Sequence, residues 1–369
     1  MNILYPLLCY YPSESGGQAN TLYWLNKSLS KTKIKSHIIA TKYGLPKHNI
    51  NTKQLYGKYD INVKFISGSF FSFFYQEQIL KIKKSDIIHF SSLFFKPTLF
   101  YILLGLLWNK KIIISPRGEL YSSALSRKRL IKTIYIYILK LFSKKIKFHS
   151  TNEIEKNLIL EYFPKNKGVT VIPNFIEMPK IRNLKKKKQI LFLGRINPIK
   201  NIHLLIEAYS QLPENLKSSF KLKIVGEAKL DYEKKYKSKL ENLIKKNNMS
   251  DYIEFLGPKY QDEKEKIISE SYCLVLPSKS ENFGNVILEA LSQKTPVIVS
   301  KYTPWKNIDN YRAGYCIDTN IDDIKNKLET IMNIDKEEYR ILQKNSLNLV
   351  REKFDVNDNI DCWLDYYKN

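Results

Sequence analysis

Short apolar segments alternate with amphipathic helical stretches in two successive runs, broken between residues 173 and 188, and this alternation restricts the fold more than any other feature. In the first run, strand-like segments recur at 3–10, 36–41, 63–66, 87–90, 112–115, 147–150 and 169–172, with helical stretches such as 17–30 and 97–108 between them. Strands that are apolar nearly throughout are buried on both faces, and helices between them supply the cover, which predicts a parallel, doubly wound sheet. Pro173-Asn174, Pro179 and the cationic run from Lys185 to Lys188 interrupt the pattern and read as a linker. It then restarts with strands at 190–193, 221–225, 253–256, 273–276 and 296–299 and helices at 201–211, 230–247, 262–270 and 285–293, closing with helices near 321–331, 337–353 and 356–367. At 369 residues the chain is long enough for two cores. The expected fold class is α/β: two Rossmann-like domains whose parallel sheets face each other across an interdomain cleft. Expected boundaries are 1–178, 179–354 and a C-terminal helix in 355–369 that crosses back to the first domain. Ligands of open α/β sheets sit beyond the carboxyl ends of the strands, which puts the expected site in that cleft.

Residues 277–290, Pro-Ser-Lys-Ser-Glu-Asn-Phe-Gly-Asn-Val-Ile-Leu-Glu-Ala, follow an apolar strand directly and run into a helix. Gly284 at such a junction lets a ligand approach the backbone, and the first-turn N–H groups of the helix attract an anion. Glu281 and Glu289 flank this turn, and carboxylates accept pairs of hydrogen bonds from sugar or ribose hydroxyls. Upstream, Gly194-Arg195 follows another strand, and Lys200 stands at the start of the next helix. An Arg fork, a Lys point charge and helix amides together stabilise the charge growing on a departing diphosphate without a metal. The sequence contains no D-x-D element to hold a divalent ion.

The segment 281–289 resembles the E-x7-E signature of the retaining glycosyltransferases of family 4, in the spelling E-x-F-G-x-x-x-x-E, and G-R followed by K matches that family's diphosphate clamp. The resemblance is tight over 189–315 and loose elsewhere. It implies the GT-B fold and transfer of a sugar from a nucleotide-diphosphate donor to a saccharide or lipid-linked saccharide, with retention at the anomeric carbon. By analogy the pathway is a bacterial surface polysaccharide such as capsule, O-antigen or lipopolysaccharide. Carried onto this sequence, Arg195 and Lys200 hold the diphosphate, Glu281 the donor sugar and Glu289 the ribose, while Phe283, Gly284, Asn285 and Val286 lay backbone against the phosphates. Arg195, Lys200 and Glu281 are the expected catalytic residues. The turn at Lys259-Tyr260 is the expected cradle of the base, and Gly16-Gly17, after the first strand, the expected contact to the sugar phosphate. Arg117 stands where many relatives carry a histidine; an arginine is no base at neutral pH, so its expected role is an acceptor or sugar contact through charge. No cofactor and no metal are expected.

The remaining features are weaker. His89 reads as a hydrogen-bonded strand-end histidine, Trp305 as packing, and Thr151-Asn152-Glu153 as a helix start. Cys9, Cys273, Cys316 and Cys362 show no metal or disulfide spacing, which fits reduced thiols in the cytosol. The net charge of +25 is uneven: residues 1–180 hold 28 Lys/Arg against 9 Asp/Glu. A basic first half implies an anionic partner. Residues 126–145 mix cations with a run of apolar side chains, as an interfacial helix on anionic lipid does, and as a core helix with basic flanks also does. No apolar run reaches the length of a membrane span, and the N-terminus reads as a first strand instead of a signal peptide. The expected location is cytoplasmic, peripheral on the inner face of the cell membrane. Two rival readings are a sugar-nucleotide 2-epimerase on the same architecture and a basic nucleic-acid binder; no basic–aromatic recognition module supports the latter, so no nucleic acid is expected.

Overall fold

The computed structural model describes residues 1–14, 17–46, 51–182 and 184–369. It divides into two compact units, Met1–Glu177 with Val356–Asn369, and Met178–Asp355.

The first unit holds a seven-stranded sheet of β1 (Asn2–Leu7), β2 (Lys35–Thr41), β3 (Ile61–Ile66), β4 (Ile87–Phe90), β5 (Lys111–Ile114), β6 (Ile146–Ser150) and β7 (Gly168–Val171). Its spatial order is β3-β2-β1-β4-β5-β6-β7, every neighbouring pair parallel. The second unit holds six parallel strands, β8 (Gln189–Leu193), β9 (Lys221–Val225), β10 (Ile253–Gly257), β11 (Cys273–Leu276), β12 (Val297–Ser300) and β13 (Gly314–Ile317), ordered β10-β9-β8-β11-β12-β13. Strands β4, β8, β11 and β12 are buried at every residue, as central parallel strands covered by helices must be. In each sheet the chain winds outward one way and then, after a crossover, the other. The switch points lie between β1 and β4 in the first unit and between β8 and β11 in the second.

β13 has no counterpart in the sequence reading. Four residues opened by a glycine, with Tyr315 and Cys316 only half-buried, carry too little apolar pattern to register as a strand. The N-terminal strand ends at Leu7, short of the expected residue 10, and the closing helix runs Ile360–Lys368.

That closing helix packs in the first unit and buries Trp363, Tyr366 and Tyr367. Tyr367 is a link in a hydrogen-bond chain that crosses five neighbouring strands. Tyr5 on β1 meets the Tyr367 hydroxyl at 2.9 Å, and that hydroxyl meets His89 Nδ1 on β4 at 2.9 Å. His89 Nε2 meets Ser115 Oγ at 2.7 Å, Ser115 Oγ meets His149 Nδ1 on β6 at 2.8 Å, and His149 Nε2 meets the Ile172 carbonyl at 2.8 Å. Burial, with Arg117 nearby, lowers His89 to about 3 and pushes His149 well below its usual range, so both rings are neutral. The terminal carbonyl only accepts, which fixes every proton: His149 donates to Ile172, Ser115 to His149, His89 to Ser115, Tyr367 to His89 and Tyr5 to Tyr367. His89 is thus a satisfied structural histidine.

Candidate active site

In the second unit, the loops after β8 and β11 leave the sheet side by side at the switch point, where the sheet topology opens a crevice. They are stitched together. The Lys279 amide donates to the Ile199 carbonyl at 2.8 Å, and Asn201 Nδ2 donates to the Pro277 carbonyl at 3.0 Å. Asn201 holds a left-handed backbone (φ 52°) that turns the short helix Pro198–Lys200 into the helix Ile202–Ser210. These contacts bring Lys200 Nζ onto Glu281 Oε1, where Ser278 Oγ also donates at 2.8 Å. Both charged side chains are mostly buried, 16% and 11% exposed, so the pair is shielded from solvent screening.

Beside them, Gly194, Gly226 and Gly257 line up at the carboxyl ends of β8, β9 and β10. Gly194 N donates to Val225 O and Gly226 N to Gly257 O, both at 3.0 Å. Gly226 has φ +153°, and a Cβ there would lie 1.8 Å from the Gly194 carbonyl oxygen, so only glycine fits. It is therefore a position of close backbone approach. Arg195, next along the β8 loop, is exposed and has no ion-pair partner among the described residues. A free guanidinium next to a paired lysine leaves one strong donor fork open for an anion.

The β11 loop ends at Gly284, the N-cap of the helix Asn285–Ser292, with φ 79°. A side chain there would also meet Ile287 Cδ1 at 2.9 Å. The loop is pinned from below: buried Trp305 donates its indole N–H to the Phe283 carbonyl at 2.7 Å, and the two rings stack edge-on at 5.5 Å. Trp305 thus packs, and its polar end shapes the loop. Glu289, one turn into the helix, accepts from Lys264 Nζ at 2.7 Å, with the side chains 21% and 13% exposed. Lys264 lies on the helix Gln261–Glu270 and did not stand out in the sequence, because a lysine in a polar helix carries no signal of a partner 25 residues away. Lys259 and Tyr260 precede that helix; Lys259 pairs loosely with Glu263 at 3.6 Å, and Tyr260 is the helix N-cap.

In the first unit, Gly17 opens the helix Gly17–Leu29, and Gly16 lies outside the described residues. Next to it, Gln18 Nε2 donates to Ser91 Oγ at 2.7 Å, after β4. Arg117, with φ 54°, reaches Ser91 Oγ at 3.3 Å and Asn174 Oδ1, while its Nη2 is buried without a partner. The guanidinium has no ion pair among the described residues: Glu155 accepts from the amides of Gly118 and Thr151 at 2.6 and 2.9 Å. Arg117, Thr21, Asn174 and Trp363 line one small cavity of this unit. Arg117 is therefore half-buried and bonded to neutral groups of its own unit. Asn152 caps the helix Glu153–Tyr162 by accepting from the Glu155 amide.

The structure thus joins Lys200 to Glu281, places Gly284 and Phe283 on the same loop as Glu281, sets Glu289 against Lys264 and gives Arg195 no ion-pair partner among the described residues.

The Glycosyl transferases group 1 family matches residues 174–348, essentially the second unit. An uncharacterized glycosyltransferase of Methanocaldococcus jannaschii is 32% identical over 184 residues, 49% of this chain and 47% of that protein, so the match spans about half the relative's length. A UDP-Gal:alpha-D-GlcNAc-diphosphoundecaprenol alpha-1,3-galactosyltransferase of Escherichia coli is 28% identical over 313 residues, covering 79% of this chain and 77% of that one. Among solved structures, HepE of Anabaena in complex with UDP superposes with a TM-score of 0.77 at 17% identity, over 99% of this chain and 100% of that one.

Proposed function

From the premise that residues 174–348 form a glycosyl transferases group 1 domain in a chain of the GT-B fold, we propose that this protein transfers a sugar from a nucleotide-diphosphate donor to a saccharide or lipid-linked saccharide. The single observation that carries the proposal is the stitched pair of loops at the β8–β11 switch point, which joins Lys200 on one loop to Glu281 on the loop that ends at Gly284, with Arg195 on the first loop lacking an ion-pair partner among the described residues. In this reading the diphosphate competes for Lys200, is gripped by Arg195, and meets the first-turn amides at Gly284, Asn285 and Val286. Glu281, relieved of its lysine, accepts from hydroxyls of the donor sugar; Glu289, oriented by Lys264, accepts from the ribose. Lys259-Tyr260 borders the base, and Gly16-Gly17 and Arg117 serve the sugar phosphate and acceptor side. Neutralising the leaving diphosphate lowers the barrier to glycosidic cleavage, and the clamp does so with its own cations, without a divalent ion.

Retention follows in this reading from same-face attack, the departing phosphate helping to take the acceptor proton. The galactosyltransferase relative acts on a diphosphoundecaprenol-linked sugar, which supports a surface-polysaccharide pathway and a lipid-linked acceptor met at the inner face of the membrane. A panel of UDP- and GDP-sugars assayed by thermal stabilisation tests the site, with Arg195→Ala and Glu289→Ala as controls. One sugar nucleotide is expected to raise Tm in the wild type and to lose that shift in both variants. A shift that survives both substitutions overturns the assignment.

A further inference from the structure

The helix Arg129–Phe142 turns one apolar face into the core of the first unit and a second one outward. Ile136 and Leu139 are buried, whereas Leu130, Ile131, Ile134, Tyr137, Ile138 and Leu141 are between 38% and 74% exposed. At the helical repeat those six side chains occupy an arc of about 120°, a continuous stripe and not a scatter. Single exposed apolar residues are ordinary; a contiguous stripe marks a surface that is covered in use.

The charge around the stripe says by what. Between residues 120 and 152 there are eight Lys/Arg and no Asp or Glu. Arg127, Lys128 and Arg129 are exposed where the helix begins, and Lys140, Lys144 and Lys145 where it ends. A second copy of the chain would bring like charges together across the contact, at an electrostatic cost. Nucleic acid would satisfy the cations but has no use for five aliphatic side chains. A bilayer carrying anionic lipid satisfies both, with acyl chains for the stripe and headgroups for its cationic ends. No helix among the described residues is long and apolar enough to cross a membrane. This one, about 21 Å long at 1.5 Å per residue, suits the interfacial plane.

We propose that the helix Arg129–Phe142 is an in-plane anchor that docks the first unit on an anionic lipid surface. This deepens the proposed function by naming the surface at which the acceptor is met; that last step rests on the donor reading, while the anchoring itself does not.

Co-sedimentation of the full chain with phosphatidylcholine vesicles, and with equimolar phosphatidylcholine and phosphatidylglycerol, tests it. The wild type is expected to bind the mixed vesicles at least about tenfold more tightly, and less so as salt rises. Ile134→Glu/Leu141→Glu and, separately, Lys140→Gln/Lys144→Gln/Lys145→Gln are each expected to lose most of that binding. Both variants touch exposed side chains only, so Tm and sugar-nucleotide stabilisation should stay at wild-type values. Three results would overturn the anchor: equal binding to both vesicle types, no pelleting at all, or full binding by either folded variant. So would concentration-dependent dimerisation that Ile134→Glu/Leu141→Glu abolishes, since that would make the stripe a self-association face. Absence of any sugar-nucleotide stabilisation would break the donor reading and leave the vesicle result to decide the anchor alone.

Discussion

Replacing Gly226 by alanine tests the packing on which the donor loop stands. A methyl carbon at Gly226 would lie 1.8 Å from the Gly194 carbonyl oxygen, and such contacts require at least 3.0 Å, so the ends of β8 and β9 must part by at least 1.2 Å. The positive φ adds backbone strain of about 1–3 kcal/mol. Weakening the Gly194–Val225 and Gly226–Gly257 hydrogen bonds adds about 1 kcal/mol more. Together these predict a loss of roughly 2–4 kcal/mol, a fall in Tm on the order of 5–15 °C for a unit of this size. The displaced residue is next to Arg195, and a misplacement near 1 Å costs about a hundredfold in kcat/KM. Gly168→Ala is the control: φ there is +151°, yet nothing lies within 4 Å of the added carbon, so it keeps the strain and omits the clash. Melting curves and donor turnover for the two variants separate the terms. If Gly226→Ala melts and turns over like Gly168→Ala, the close approach of the two backbones does not hold the site.

Lys264→Met removes the donor that orients Glu289, and donor KM is expected to rise about tenfold with kcat little changed, since the contact serves binding. Glu289→Gln added to that variant should cost little more; strictly additive losses would mean the two residues act apart. Trp305→Phe keeps a ring but leaves the buried Phe283 carbonyl unpaired, with an expected loss of about 1–3 kcal/mol in stability and weaker donor binding, checked by melting with and without sugar nucleotide. His89 and His149 are held neutral in the fold by burial and by Arg117, so the unfolded chain binds more protons. Stability of the first unit should therefore be full above about pH 6.5 and fall as the pH drops from there towards 3. A Tm that stays flat through that acid range would show that the two imidazoles are not buried neutral.

The parts of the fold that sequence revealed are those where one physical signal acts alone. Residues 87–90 and 273–276 coincide with β4 and β11 because a parallel strand buried on both faces is apolar nearly throughout, and 221–225 coincides with β9 because Leu222, Ile224 and Val225 are buried although Lys221 and Lys223 are only half-buried. The helix Arg129–Phe142 shows the opposite case. Apolar residues line both its buried and its exposed faces, so periodicity marks an amphipathic helix but cannot tell core from surface. At the site, Lys200 and Glu281 were each legible from their motifs, but their pairing joins residues 81 apart and depends on the adjacency of β8 and β11. Lys264 was invisible for the same reason. The histidine chain of the first unit is likewise a product of sheet order: His89, Ser115 and His149 are neighbours only because β4, β5 and β6 are.

Sugar transfer by this chain requires that the loops at the β8–β11 switch point bind a diphosphate. Calorimetric titration of UDP and GDP, each beside its own nucleoside, into the wild type and into Arg195→Ala/Lys200→Ala measures this directly. One diphosphate is expected to bind the wild type at least about tenfold tighter than its nucleoside, a difference of about 1.4 kcal/mol, and the double variant is expected to erase the difference. Equal affinity for nucleoside and diphosphate in the wild type, or an undiminished preference in the variant, would contradict the central claim.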